Sequence, residues 1–389
     1  MRPGPLSEQQ ADRPIRAVSN VEDTEFTRPK LGRILYLDGL RGIAILLVLL
    51  FHAYSRWPEI IPFGDRFAKF PLFAHGWLGV NLFFLISGYV IYLTLDKPRS
   101  AMNFFVRRWL RLFPAMLVCS LIIYFSAAFF FERPAGMPAF RDLLPGLSFI
   151  EPIWWRKLLG PPQGALEGAF WSLYVEVKFY LLAGFFYFVF GEKKMIWMLC
   201  IVFFSSLAVP VIGNSFPDLD LSLANQILFI LSAKHFGWFA AGSLFYLYAR
   251  QQRIHVLISA IAIGLASSIA LNQGPGVVLA GMLIVLLFTM SILNKRMQTI
   301  LTTPGLLTLG FASYPLYLLH ENMMVSLIVK TGFFAPWIPA ILVPVFPMMF
   351  VIVLGWMVAK FAEPLTRNLI LNSYKLVTRP APTAKNDSP

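Results

Sequence analysis

Ten stretches of the chain hold apolar residues in runs long enough to cross a hydrocarbon layer of about 30 Å, which takes about 20 helical residues at 1.5 Å rise each. They cover roughly residues 35–56, 75–95, 112–131, 169–190, 195–213, 226–249, 254–272, 276–293, 305–329 and 336–359. Polar residues inside these runs are too few to give the one-sided period of a soluble helix. The pattern therefore predicts an all-α polytopic membrane protein of about ten transmembrane helices. Two linking segments are long, 57–74 and 132–168, and the second carries Trp154, Trp155, Pro161 and Pro162 with charges of both signs. They are expected to cover a site at one face of the membrane. Residues 1–33 are polar and mixed in charge, without the early apolar core of a cleavable signal, and read as a disordered tail. Residues 34–367 form the expected transmembrane domain, and 368–389 a second tail.

Composition strengthens this division. Of 389 residues, 57% are hydrophobic and 14% charged, against about 25% charged in a soluble domain. A single soluble core is excluded. The net charge of +13 would by itself suggest a polyanionic partner such as nucleic acid, but the links account for it. If the N-terminus is inside, 22 of the 33 Lys and Arg residues fall in inner segments, eight in outer segments and three within spans. By the positive-inside rule both termini of a multi-pass protein are expected in the cytoplasm, and nucleic acid is not an expected partner. Cys119 and Cys200 both lie in apolar runs, which offers neither a disulfide framework nor a metal-ligand spacing.

Ionisable side chains are costly inside a bilayer, so each is a candidate for function. Arg41 and His52 lie in the first run, Glu176 and Lys178 in the fourth, Lys234 and His235 in the sixth, and His320 and Glu321 in the ninth. Arg41 and His52 are eleven residues apart, about 16 Å along a helix and roughly 20° from one face, so both can line one cavity at different depths. His52, Glu176 and His320 each fall about 21 Å from the inner edge of the hydrocarbon. A histidine at such a layer can take a proton from a hydroxyl, and a carboxylate can orient it or steady the imidazolium. The same groups could form the relay of a proton-coupled transporter, or simply satisfy helix packing. On the inner side, Arg108 and Arg111 share a helix face at i, i+3 and can grip phosphates or anchor topology.

Taken together, the motifs resemble the acyltransferase 3 family of integral membrane O-acyltransferases. YLDGLRGIAILLVLLFHA carries Arg41 and His52 at the family's R-x10-H spacing, and GWLGVNLFFLISGYVI resembles its second span. FFVRRWLRLFP supplies R-x-x-R at Arg108 and Arg111, FWSLYVEVKFY supplies Trp-Ser-Leu and Glu176, SYPLYLLH ends at His320, and FAEPLTR resembles the Glu-Pro ending. Lys178 stands where a neutral polar or acidic residue is common in the family, and its pairing with Glu176 is a local expectation. Ser87-Gly88 reads as a packing notch ahead of a nucleophile.

The resemblance implies transfer of an acyl group, most often acetyl, from acyl-CoA to a hydroxyl of a glycan or glycolipid outside the membrane. A lipopolysaccharide O-antigen, an exopolysaccharide, or a macrolide or other small glycosylated acceptor would fit. It implies acyl-CoA as a donor co-substrate with no bound cofactor or metal, and membrane lipid as the surroundings. Arg41, Arg108 and Arg111 would bind the donor; His52, Glu176, His320 and Glu321 would carry the chemistry. A proton-coupled transporter and a flippase-like protein without chemistry stay open on the residues alone.

Overall fold

A bilayer offers backbone N–H and C=O groups no water, and a helix pairs them within one segment, which is why the apolar runs fold as they do. The computed structural model describes residues 34–95, 100–160 and 164–377, and among them all regular structure is helical. The principal helices are α1 (Leu35–Tyr54), α2 (Gly79–Leu95), α3 (Ala101–Ser126), α4 (Trp171–Phe190), α5 (Glu192–Ser215), α6 (Phe236–Gln251), α7 (Ile254–Ile269), α8 (Pro275–Leu293), α9 (Pro304–Phe334), α10 (Val345–Met357) and α11 (Glu363–Val377). The expected tail 1–33, Lys97, Arg99, Pro161, Pro162 and residues 378–389 lie outside the described residues.

Among the described residues, seven helical segments are long and apolar enough to cross a membrane: α1, α3, α5, α8, α2 and α4 each with the short turn before it, and α10 continued into α11. An eighth forms if α6 is joined to Ser222–Ile230 across a 58° bend. The other two expected spans coincide with α7, which is apolar but only 16 residues long, and α9, whose 31 residues are interrupted by His320, Glu321 and Asn322. The protein is a multi-pass membrane protein. Large apolar side chains such as Phe125, Trp197, Phe229 and Phe333 are exposed on its surface, as helices facing lipid require.

Three boundaries differ from the sequence expectation, each for a local reason. α3 starts at Ala101 because Ser100 caps it, accepting from the Asn103 N–H at 3.2 Å, so Arg107, Arg108 and Arg111 all lie inside the helix. α10 starts at Val345 because Pro336, Pro339 and Pro344 hold the preceding residues in turns. The sixth run breaks at Ser232, whose φ of 56° ends the helical path; Lys178 Nζ donates to Ser232 Oγ at 3.0 Å and to Glu151 Oε1 at 2.7 Å. Lys178 is thus a tie between segments, not a partner of Glu176. Between α10 and α11, Val358–Ala362 widens into a π-helical turn ahead of Pro364, which has no N–H to give that turn.

The largest helix contacts are α1 with α9, α2 with α6 and α9 with α10. Small residues let the first two backbones touch, the packing mode expected where lipid is as apolar as leucine. At Gly310 on α9 an added Cβ would fall 1.9 Å from the Asp38 carbonyl oxygen on α1, whereas one at Gly305 would meet nothing within 4 Å. Gly310→Ala is expected to cost about 1–3 kcal/mol through overpacking, read as a lower melting temperature of the detergent-solubilised protein. Gly305→Ala should melt with the wild type; equal melting of both variants would show that this close approach is not needed.

Candidate active site

The α1–α9 contact fixes the position of the two histidines. His52 lies near the end of α1, buried, and His320 lies mid-α9, fully buried. His320 Nδ1 is 2.8 Å from the Tyr317 carbonyl oxygen, and a carbonyl only accepts, so Nδ1 carries the proton and Nε2 presents a lone pair. That lone pair faces His52 Nδ1 at 3.3 Å, and the same His52 atom is 3.0 Å from the Val48 carbonyl oxygen. With two acceptors around it, His52 Nδ1 is the protonated nitrogen. The second nitrogen of His52, Nε2, is left as the basic atom, with Glu321 Oε1 3.7 Å away. The neutral ring is thus poised to accept a proton at Nε2, and the carboxylate stands where it would stabilise the resulting imidazolium.

Glu321 is held from the other side by the segment that precedes α4. Its Oε2 accepts the Ala169 N–H at 2.6 Å. An added Cβ at Gly168 would fall 3.0 Å from both Glu321 oxygens, tighter than ordinary contact, so the carboxylate would have to give way by a few tenths of an ångström. The carbonyl of the same Ala169 accepts from the Tyr317 hydroxyl at 2.8 Å, and Tyr317 Oη also lies 2.8 Å from Ser172 Oγ. One residue further back, Glu167 Oε2 accepts both the backbone N–H (3.0 Å) and the side-chain amide (2.6 Å) of Asn322. Glu167 Oε1 faces Arg133 Nη2 at 3.7 Å, with the two side chains 1% and 2% exposed. Burial, and then the Glu321 carboxylate, push the Glu167 carboxyl well above the usual carboxylate range, against the pull of Arg133 and the Asn322 hydrogen bonds.

A cavity, partly open to its surroundings, lies between α2, α3, α4 and α9. Helical spacing explains its lining: Ser172, Glu176 and Tyr180 recur every four residues on α4, Tyr314 and Tyr317 every three on α9, and Arg108 and Arg111 likewise on α3. Glu176 Oε1 accepts from Ser87 Oγ at 2.6 Å and from the Tyr180 hydroxyl at 2.5 Å. Arg108 lies 5.7 Å from the centres of the Phe104 and Tyr180 rings, and its buried Nε has no hydrogen-bond partner. Arg111 is about half-exposed, with Glu363 3.7 Å away. At the other end, the Tyr317 ring lies 5.4 Å from His320, so the cavity stops one aromatic ring short of the histidine pair.

The candidates picked from sequence therefore fall into two groups. His52, His320 and Glu321 meet, whereas Glu176 stands with Arg108 and Arg111 in the cavity and contacts neither histidine. Arg41 turns to Asp38 at 2.7 Å and does not line the cavity. Gly88 is the packing notch, its Cβ position 2.1 Å from the Phe239 carbonyl oxygen, while Ser87 is a donor to Glu176. His235 packs against Phe84 and Trp171, and Lys234 is exposed. Sequence reasoning missed Glu167, Arg133, Asn322, Tyr180 and Tyr317, and gave no role to Ser172 of the Trp-Ser-Leu motif. A third polar residue after His320-Glu321 was the visible sign for Asn322; the loop residues gave none. Among the described residues, no group of three His, Cys, Asp or Glu is arranged to hold a metal ion.

Comparison with known proteins supplies the context for this geometry. No solved structure matches the chain. It is 28% identical over 160 residues to the peptidoglycan O-acetyltransferase OatA of Listeria monocytogenes, covering 38% of this chain and 23% of that protein. It is 30% identical over 158 residues to the O-acetyltransferase OatA of Staphylococcus aureus, again covering 38% and 23%. The matched stretch thus spans under a quarter of the length of these relatives. The sequence profile of the acyltransferase 3 family, described as an acyltransferase domain, matches residues 34–361. With most of its length inside that profile, the chain belongs to the acyltransferase 3 family and is an acyltransferase.

Proposed function

We propose that the protein is an inner-membrane O-acyltransferase that moves an acetyl group from acetyl-CoA on the cytoplasmic side to a hydroxyl of a glycan or glycolipid on the opposite side. In this reading the chain crosses the membrane ten times with both termini inside, α7 and α9 included. Arg108 and Arg111 hold donor phosphates, and the acyl chain points along the cavity toward Tyr317. His52 Nε2 takes the proton of the acceptor hydroxyl as its oxygen bonds to the thioester carbonyl carbon. The carbon–sulfur bond then breaks, and the departing thiolate takes the proton, leaving free CoA and an O-acyl ester. Glu321 steadies the imidazolium between the two transfers, and His320 keeps His52 in the tautomer whose free nitrogen is Nε2.

The observation that carries the reading is the cavity running from the arginine pair to within one ring of His320. In this reading the donor enters from the arginine end of the cavity, and the acceptor hydroxyl reaches His52 Nε2 from the opposite side of the membrane. The proposed acceptor class rests on the family resemblance and on the Listeria relative, a peptidoglycan O-acetyltransferase; lipopolysaccharide O-antigen and exopolysaccharide are the proposed equivalents here. Reconstituted protein supplied with acetyl-labelled acetyl-CoA and a bacterial surface glycan should leave ester-linked label on the glycan and release CoA in equal amount. Label on a macrolide and not on glycans would move the acceptor to a small molecule; solute counterflow without CoA release would overturn transfer altogether.

A further inference from the structure

The oxygens of Glu167 are engaged by Asn322 and Arg133, not by either histidine, yet it is the most enclosed carboxylate around the site. Its Oε2 collects two donors from Asn322, the residue that follows Glu321 on α9, and its Oε1 lies against Arg133 with no hydrogen-bond partner. Arg133 Nη2 and Asn322 Nδ2 both donate to the Leu166 carbonyl, and Asn322 Oδ1 accepts the Ala135 N–H at 2.9 Å. Both ends of the 132–170 segment are therefore fastened to one point of α9. Two residues beyond Glu167, the Ala169 peptide uses its N–H to hold Glu321 and its carbonyl to hold Tyr317.

From this juxtaposition we infer that Glu167 is a positioning residue: clamped between Arg133 and Asn322, it sets the Ala169 peptide and through it the orientation of Glu321 toward His52. The inference rests on the role proposed for Glu321 above. Removing a buried acceptor that takes both the backbone and the side-chain N–H of one residue leaves those donors desolvated and unpaired, so the clamp has one low-energy arrangement. What Asn322 needs from residue 167 is a side-chain oxygen, which glutamine keeps. Burial also favours the neutral carboxyl, so Gln is close to the native group. Alanine keeps neither the acceptor nor the tie.

The test measures steady-state transfer by purified, monodisperse full-length protein, with melting temperature recorded for each variant. Glu321→Gln is expected to lower kcat by about 100-fold and Glu167→Ala by about tenfold, with donor KM unchanged; the double variant should be no slower than Glu321→Gln alone, since groups acting as a unit are not additive. Glu167→Gln should stay within about threefold of the wild type. Gly168→Ala, which leaves the clamp intact but pushes on Glu321, should reproduce the Glu167→Ala loss and the same non-additivity, and it keeps the test open if Glu167→Ala does not fold. Multiplying losses in the double variants, a Glu167→Gln as impaired as Glu167→Ala, or a Glu167→Ala at wild-type rate would each overturn the positioning role. An active wild type with an unimpaired Glu321→Gln would remove the role of Glu321 itself, and the inference with it.

Discussion

Replacing His52 by asparagine is expected to abolish acyl transfer, a fall of about 10²–10⁴ in kcat, the range a positioned general base contributes. The choice of asparagine follows from the tautomer. The amide nitrogen can stand in for Nδ1–H, which faces the Val48 carbonyl and His320 Nε2, so the buried acceptors around it keep a donor. What is lost is the lone pair of Nε2 beside Glu321. His52→Ala removes both and leaves a void at a buried position, so its loss of activity mixes chemistry with packing. The pair of variants separates them: both should be inactive, while His52→Asn should melt closer to the wild type. A His52→Asn protein with activity within about threefold of the wild type would exclude proton transfer at Nε2. His320→Asn is expected to be less severe. It removes the acceptor that fixes the His52 tautomer, but the Val48 carbonyl remains to hold the same proton.

Much of this arrangement was legible because bilayers make charge conspicuous. Arg41, His52, Glu176, His320 and Glu321 stood out as titratable groups in apolar runs, and helical rise placed His52 and His320 at one depth. The structure puts their rings 4.7 Å apart. Depth alone carries no azimuth, which is why Glu176 was grouped with the histidines. In the structure its helix face turns to Ser87, Tyr180 and the arginines. The same limit explains Lys178, whose neighbour in sequence is Glu176 but whose partner in space is Glu151, reached from a loop. Nothing in local pattern fixes how the 132–170 segment folds back. Glu167 and Arg133 looked like ordinary outer-loop charges, and only the tertiary contact with Asn322 shows that they are buried. The prolines differ in being visible: Pro336, Pro339 and Pro344 stand in the sequence, and they displace the start of α10 by nine residues from the expected 336.

The arginine pair yields the second large effect, on donor use and not on chemistry. Arg108→Ala is expected to raise the KM for acetyl-CoA by about 10–100-fold and to leave acceptor KM unchanged, because uniform binding of a remote phosphate is lost while the reacting centre is intact. Two features of Arg108 support a large value. Its Nε is buried without a partner, which is costly unless something fills it, and its guanidinium is held near the Phe104 and Tyr180 rings. Arg108→Lys should therefore recover little, since an ammonium has neither the fork nor the flat face. Arg111 is half-exposed and shares its charge with Glu363, so Arg111→Ala should cost less, about three- to tenfold in donor KM, and more at low salt than at high. A donor lacking the 3′-phosphate assigns the contacts: whichever variant no longer distinguishes acetyl-CoA from acetyl-dephospho-CoA has lost the residue that holds that phosphate. If neither donor KM moves in either variant, the pair serves topology alone, and the phosphates of the donor must be held elsewhere than at the arginine end of the cavity.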